Sequence, residues 1–148
     1  MASHAMFGLG NLAKPLKLLD RLLHPVRYHG DASLHDHAVA MAWTARAQRA
    51  LLHRSQPLVV EVQLYFSCVV KKRVLFHDNP VPQPQDARIN DRLYLRFRLV
   101  QASSCDPEEF ARNYPEQKQL QPAAIGKIYP KQVRFDCIDG AWLGEFTM

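Results

Sequence analysis

From Leu58 onward every second residue is apolar: Leu58, Val60, Val62, Leu64, Phe66, Cys68 and Val70 alternate with Glu61, Gln63, Tyr65 and Ser67. A period of two puts the first set on one side of an extended chain, which no helix can do. The alternation resumes at Val74 and Phe76 after Lys71, Lys72 and Arg73. No Gly, Asn or Pro supports a hairpin at the lysines, so the reading is one long bent strand with a bulge there. Arg92 to Gln101 repeats the pattern: Leu93, Leu95, Phe97 and Leu99 face one way, and Arg92, Tyr94, Arg96 and Arg98 the other. Gly126 to Ile138 is extended, with Val133, Phe135 and Cys137 on one face. Asp139-Gly140 then predicts a two-residue hairpin turn into a final strand carrying Trp142 and Phe146.

The N-terminal third has a different rhythm. Leu9, Leu12, Leu16, Leu19 and Leu23 recur at spacings of three and four, an apolar helical stripe beside a basic one of Lys14, Lys17 and Arg21. Pro25 ends that helix at His24. Gly30 and Asp31 mark a turn, and Ser33 is an N-cap for a second helix reaching about Arg54. Leu34, Ala38, Met41, Ala45 and Leu52 form one side of it and Trp43, Ala47, Ala50 and Leu51 the other. His35, Arg46, Arg49 and His53 leave a narrow polar stripe. Asp78 to Asp91, with three prolines, reads as an extended loop. Asp106, Pro107 and Glu109 predict a short capped helix.

Helices first and strands afterwards imply an α+β fold: two N-terminal helices packed on a twisted, curved antiparallel sheet of four to five strands, with one short helix before the C-terminal hairpin. The element order is similar to that of cystatin-type and nuclear-transport-factor-type cones, a likeness of order with no motif behind it. Residues 1–8 read as a flexible leader and 9–148 as a single domain. The chain of 148 residues is 47% hydrophobic and 22% charged, which argues against disorder, and no run is apolar enough to span a bilayer. Three cysteines, none in a CxxC pair, read as free thiols of a reducing, cytoplasmic setting. Cys68 and Cys137 fall on apolar strand faces, and Cys105 precedes a helix start, where a thiolate is stabilised.

No phosphate loop, dinucleotide, zinc-protease or nucleophile-elbow motif occurs, so the sequence leans away from an enzyme and implies no cofactor. His24, His29, His35 and His37 crowd together as metal candidates, but their spacing matches no ligand pattern, and a titratable surface loop explains them as well. The net charge of +5 favours acidic partners. The leading expectation is a non-enzymatic binding or accessory domain meeting nucleic acid or an acidic protein through a basic sheet face. Arg92, Arg96, Arg98, Lys71 and Lys72 would contact acid groups, and Tyr94 would serve as a stacking platform. The alternative is a small-molecule binder or enzyme with a pocket between the second helix and a curved sheet, lined by Trp43, Tyr65 and Trp142. A structural assembly protein, including a homodimer, is the third class. The first helix is expected to pack in the core rather than on a membrane surface.

Overall fold

A computed structural model describes residues 18–66, 70–81, 83–102, 117–120 and 128–148. Among these, helix is confined to residues 18–23 (α1) and Ala45–Leu52 (α2). The strands are β1 (Val26–Leu34), β2 (His37–Thr44), β3 (Leu58–Phe66), β4 (Val70–His77), β5 (Ala87–Asn90), β6 (Leu93–Ala102), β7 (Gln117–Leu120), β8 (Gln132–Ile138) and β9 (Ala141–Thr147). Sheet A has the order β1-β2-β8-β9, and sheet B the order β4-β3-β6-β5 with β7 also pairing β6. The expected architecture, two helices packed on one antiparallel sheet, is therefore incorrect. Two sheets face each other, and each is mixed, because β2 runs parallel to β8 and β3 parallel to β6.

The largest correction concerns the expected second helix. Its first half is the hairpin β1–β2, turned at His35-Asp36, where both residues take positive φ (48° and 68°). Val39, Met41 and Trp43 point into the core at a period of two, paired with Ala32 and Gly30 of β1. Alanine at 38, 40 and 42 fills either a helix or a strand without conflict, so only these larger residues reveal the period. The helix survives as α2, where the Thr44 hydroxyl accepts from the Ala47 N–H at 3.2 Å as an N-cap. Ala47 and Leu51 are its buried residues and join the core cluster, closing one end of the sandwich.

The expected long strand is likewise two strands. β3 and β4 pair antiparallel with Val60 opposite Phe76 and Val62 opposite Val74. Folding back sets both apolar runs on one face of one sheet, which a single extended strand cannot achieve. The proline-rich loop contains β5, and the polar stretch near residue 117 contains β7. β6 and the β8–β9 hairpin at Asp139-Gly140 match the sequence reading, with register Ile138 to Ala141 and Cys137 to Trp142. The leader, the helix expected after Asp106, Cys68 and Cys105 lie outside the described residues.

The core draws on both sheets: Leu34, Val39, Met41, Trp43, Val133 and Phe135 from sheet A meet Leu58, Val60, Val62, Leu93, Leu95 and Leu99 from sheet B. Phe135 stands at the centre of an aromatic group, 5.4 Å from Trp43, 6.3 Å from Phe76 and 6.0 Å from Trp142. The sheets approach at both margins, β1 against β5 and β9 against β4. Glycines make those approaches possible. A Cβ on Gly30 would lie 2.5 Å from Ile89 Cγ2, and one on Gly144 would lie 2.9 Å from Val74 Cγ1.

Candidate functional site

The face opposite the core on sheet B carries most of the basic residues singled out from sequence. Register aligns Gln63 with Arg73 and Arg98, and Glu61 with Leu75 and Arg96. Arg96 is buried, however, and committed internally. Its Nε and Nη2 donate to the Asp86 carboxylate at 2.6 and 2.8 Å, and Nη2 also to the Val81 carbonyl at 3.1 Å. Its Nη1 is 3.6 Å from Glu61 Oε1, a carboxylate almost wholly buried. Arg98 reaches Glu61 Oε2 at 3.8 Å, His77 Nε2 lies 3.3 Å from Oε1, and the Gln63 amide donates to Oε2. Among the described residues, the buried atoms Gln63 Oε1 and His77 Nε2 have no hydrogen-bond partner. Burial works to raise the Asp86 carboxyl, but the bonds from Arg96 and the Gln83 N–H outweigh it and hold it below the ordinary value. The bonds to Asp86 in turn raise Arg96, so it remains a cation. This face is a buried charge network that ties the loop before β5 to the sheet, and Arg96 has no charge left to offer a partner.

The rest of the basic set disperses. Arg92 is exposed at the C-terminal end of α2, donating to the carbonyls of Arg54 (2.8 Å) and Leu51 (3.4 Å). Tyr94 is half-buried on the outer face of sheet B. Lys71 is exposed with an interaction of its own, as Arg73 and Tyr65 also have. Lys72 falls on the opposite face, its Nζ 3.5 Å from the Phe146 carbonyl and 5.6 Å from the centre of that ring.

Of the alternative pocket residues, Trp43 and Trp142 meet the same ring, Phe135, and Tyr65 stands apart from them. Trp43 is in the core, its Nε1 donating to Gln48 at 2.7 Å. Trp142 stacks on Phe76 at 5.9 Å. Tyr65 is fully buried on the far side of sheet B, beside Lys71 in the register. The metal candidates also separate. His37 stacks on Tyr129 at 3.9 Å with His35 beyond it at 6.2 Å, while His29 lies on β1 and His24 follows α1. Among the described residues no group of three or more His, Cys, Asp or Glu could hold a metal ion. Cys137 is buried on the core face as expected, and burial pushes its thiol up. A shallow depression on the outside of β8 and β9 is lined by Gln132, Arg134, Glu145, Phe146 and Thr147.

The helical end has a different character. Asp136 of β8 receives Arg46 Nε at 2.8 Å and Nη2 at 2.6 Å, together with the Thr44 hydroxyl and the Cys137 N–H. Arg46 also binds Asp20 of α1, Nη1 at 3.2 Å and Nη2 at 2.9 Å. One guanidinium thus holds α1, α2 and sheet A together. Burial works to raise Asp136, but Arg46 and Thr44 prevail and keep it below the usual carboxylate range, while Asp136 and Asp20 raise Arg46. Arg49 and His53 follow Arg46 at three and seven residues, so all three share one side of α2. Arg49 is exposed, as are Arg21 on α1 and Arg27 on β1, and none of the three meets a carboxylate among the described residues. The polar stripe of Arg46, Arg49 and His53 was visible in the sequence. Its partners Asp20 and Asp136, 26 and 90 residues away, were not.

Leucines share this end. Leu18, Leu19, Leu22 and Leu23 are 62%, 52%, 71% and 66% exposed, and Leu52 of α2 is 54% exposed. The expectation that the first helix packs in the core fails for its described part. No helix among the described residues is long and apolar enough to cross a membrane. Comparison of the chain with protein-family models, with curated proteins and with solved structures gives no match.

Proposed function

We propose that this chain is a non-enzymatic binding or accessory domain that engages an acidic macromolecule, and that the contact lies at its basic helical end. One observation carries the reading. Arg21, Arg27, Arg49 and Arg92 are exposed there and bond no carboxylate among the described residues, whereas the described acids that touch the helical end already hold other arginines: Asp20 and Asp136 hold Arg46, and Asp78 holds Arg54. α2 itself contains no acid. Four exposed cations therefore stand on α1, α2 and the strand ends beside them, in addition to exposed Lys71 and Lys72 on sheet B, and clustered cations attract anions better than the same charge scattered.

The test is a fluorescence titration of the full chain with a short duplex DNA and with a heparin fragment across a salt series. Binding should fall about a hundredfold between about 50 and about 200 mM salt if four cations engage. The double variant Arg21→Glu, Arg49→Glu should lose most of it, and Arg98→Ala on sheet B should retain it. Titrations that are flat in salt, or equal loss in the sheet variant, would count against this assignment.

A further inference from the structure

We propose that the acidic partner is an anionic membrane surface, which α1 meets by laying its leucine face into the lipid interface. This rests on the basic helical end being a contact surface at all. At about 100° per residue, Leu18, Leu22, Leu19 and Leu23 fall within an arc of about 140°, and Asp20 lies about 60° beyond its edge. Asp20 is the residue bonded to Arg46. The helix is therefore held to the body by its polar side and turns its leucines outward, the reverse of a helix that covers a core. The exposures of 52–71% confirm the direction, and Leu52 of α2 adds to the same end. An apolar arc flanked by a cation is the attribute of a helix that lies in a bilayer interface.

Other occupants fit less well. A nucleic acid backbone would use the arginines but give the leucines nothing to cover them. A second copy of the chain would cover leucines with leucines, yet it would bring Arg21 and Arg27 of each copy to the same contact, and Asp20 is already committed to Arg46. At roughly 100 Å² of apolar area per leucine, the five leucines also fall short of the roughly 800 Å² per side that a stable dimer buries. A membrane imposes no such threshold, since insertion of a few leucines combines with attraction of the arginines to anionic headgroups.

The experiment is flotation of the full chain with phosphatidylcholine vesicles, with and without about 30 mol% phosphatidylserine. The protein should float with the anionic vesicles and not with the neutral ones. Leu18→Ser, Leu22→Ser should lower vesicle binding at least about tenfold, with heparin binding and the circular dichroism melt unchanged, because both leucines are exposed and no charge is altered. Arg21→Glu, Arg49→Glu should lose vesicles and heparin together. If heparin binds with the expected salt dependence but vesicles do not, the membrane assignment falls and the basic contact surface stands. If neither binds, both fall. Vesicle binding that survives the double leucine variant also overturns the proposal, as does a dimer in sedimentation velocity that the variant dissociates.

Discussion

Replacement of Asp136 by alanine tests the arrangement that fixes the helical end. The carboxylate accepts two bonds from Arg46, one from the Thr44 hydroxyl and one from the Cys137 N–H, and its side chain is 22% exposed. A single hydrogen bond to a charged group is worth about 1.5–3 kcal/mol, and these four share one carboxylate, so they do not add. Arg46 keeps Asp20, which reduces the cost of its lost partner below the 3–5 kcal/mol of a fully stranded buried charge. The expected loss is about 2–3 kcal/mol. In urea, with a slope of about 2 kcal/mol/M, the unfolding midpoint falls by about 1–1.5 M. Asp20→Ala, at a carboxylate 43% exposed, should cost no more than about 1 kcal/mol. The pH dependence follows from the same bonds. The folded Asp136 titrates below its unfolded value of about 3.9, so its stabilisation is complete above that value and is lost as pH falls through the depressed folded value. Asp136→Asn should therefore flatten the acid limb of stability against pH. If Asp136→Ala costs no more than Asp20→Ala, the carboxylate is not the anchor of this end.

Two further substitutions probe the rest of the frame. Gly144→Ala should destabilise by about 1–3 kcal/mol through overpacking, because the new methyl meets Val74 at 2.9 Å and Phe76 at 3.0 Å; Gly30→Ala should act likewise at the opposite margin, and a gain in thermal midpoint from either would refute the edge closure. Arg96→Ala should cost about 3–5 kcal/mol by stranding the buried Asp86 and removing the nearer of two arginines from Glu61, whereas Arg98→Ala, on a side chain 30% exposed, should cost about 1 kcal/mol or less; similar melting shifts for the two would contradict the buried network.

Where neighbouring residues decide an element, the sequence was readable. β6 alternates cleanly from Leu93 to Leu99, and the Asp139-Gly140 turn, both residues at positive φ, joins strands that pair directly across it. The first hairpin was not readable, because its turn uses His35-Asp36 in place of a glycine pair and its strand is diluted with alanine. Alanine favours helix intrinsically, and burial of Trp43 and Met41 between two sheets overrides that preference. The parallel pairs β2–β8 and β3–β6 join segments far apart in sequence and leave no local mark. For the candidate site, the basic residues were identified but their neutralisation was not. One local clue existed: Glu61 and Gln63 interrupt the most apolar strand of the chain, and buried carboxylates require cations.

That clue changes the meaning of the basic composition. A formal charge of +5 counts Arg96 and Arg46 with every other cation, yet each has two carboxylates within its reach and neither projects its charge to solvent. What acts at a distance is the remainder, and its position depends on which arginines the fold commits. α2 shows how closely the two uses are joined. Arg46 fastens the helix to β8 and α1, while Arg49, one turn further along the same side, is left facing solvent. The bonds of Arg46 also set which way α1 turns its leucines. Disruption of Asp136 should therefore weaken partner binding without removing any contact residue, whereas Arg49→Glu should weaken binding and leave stability nearly unchanged. The separation of those two effects is what distinguishes an anchored binding surface from a patch of charge that happens to be exposed.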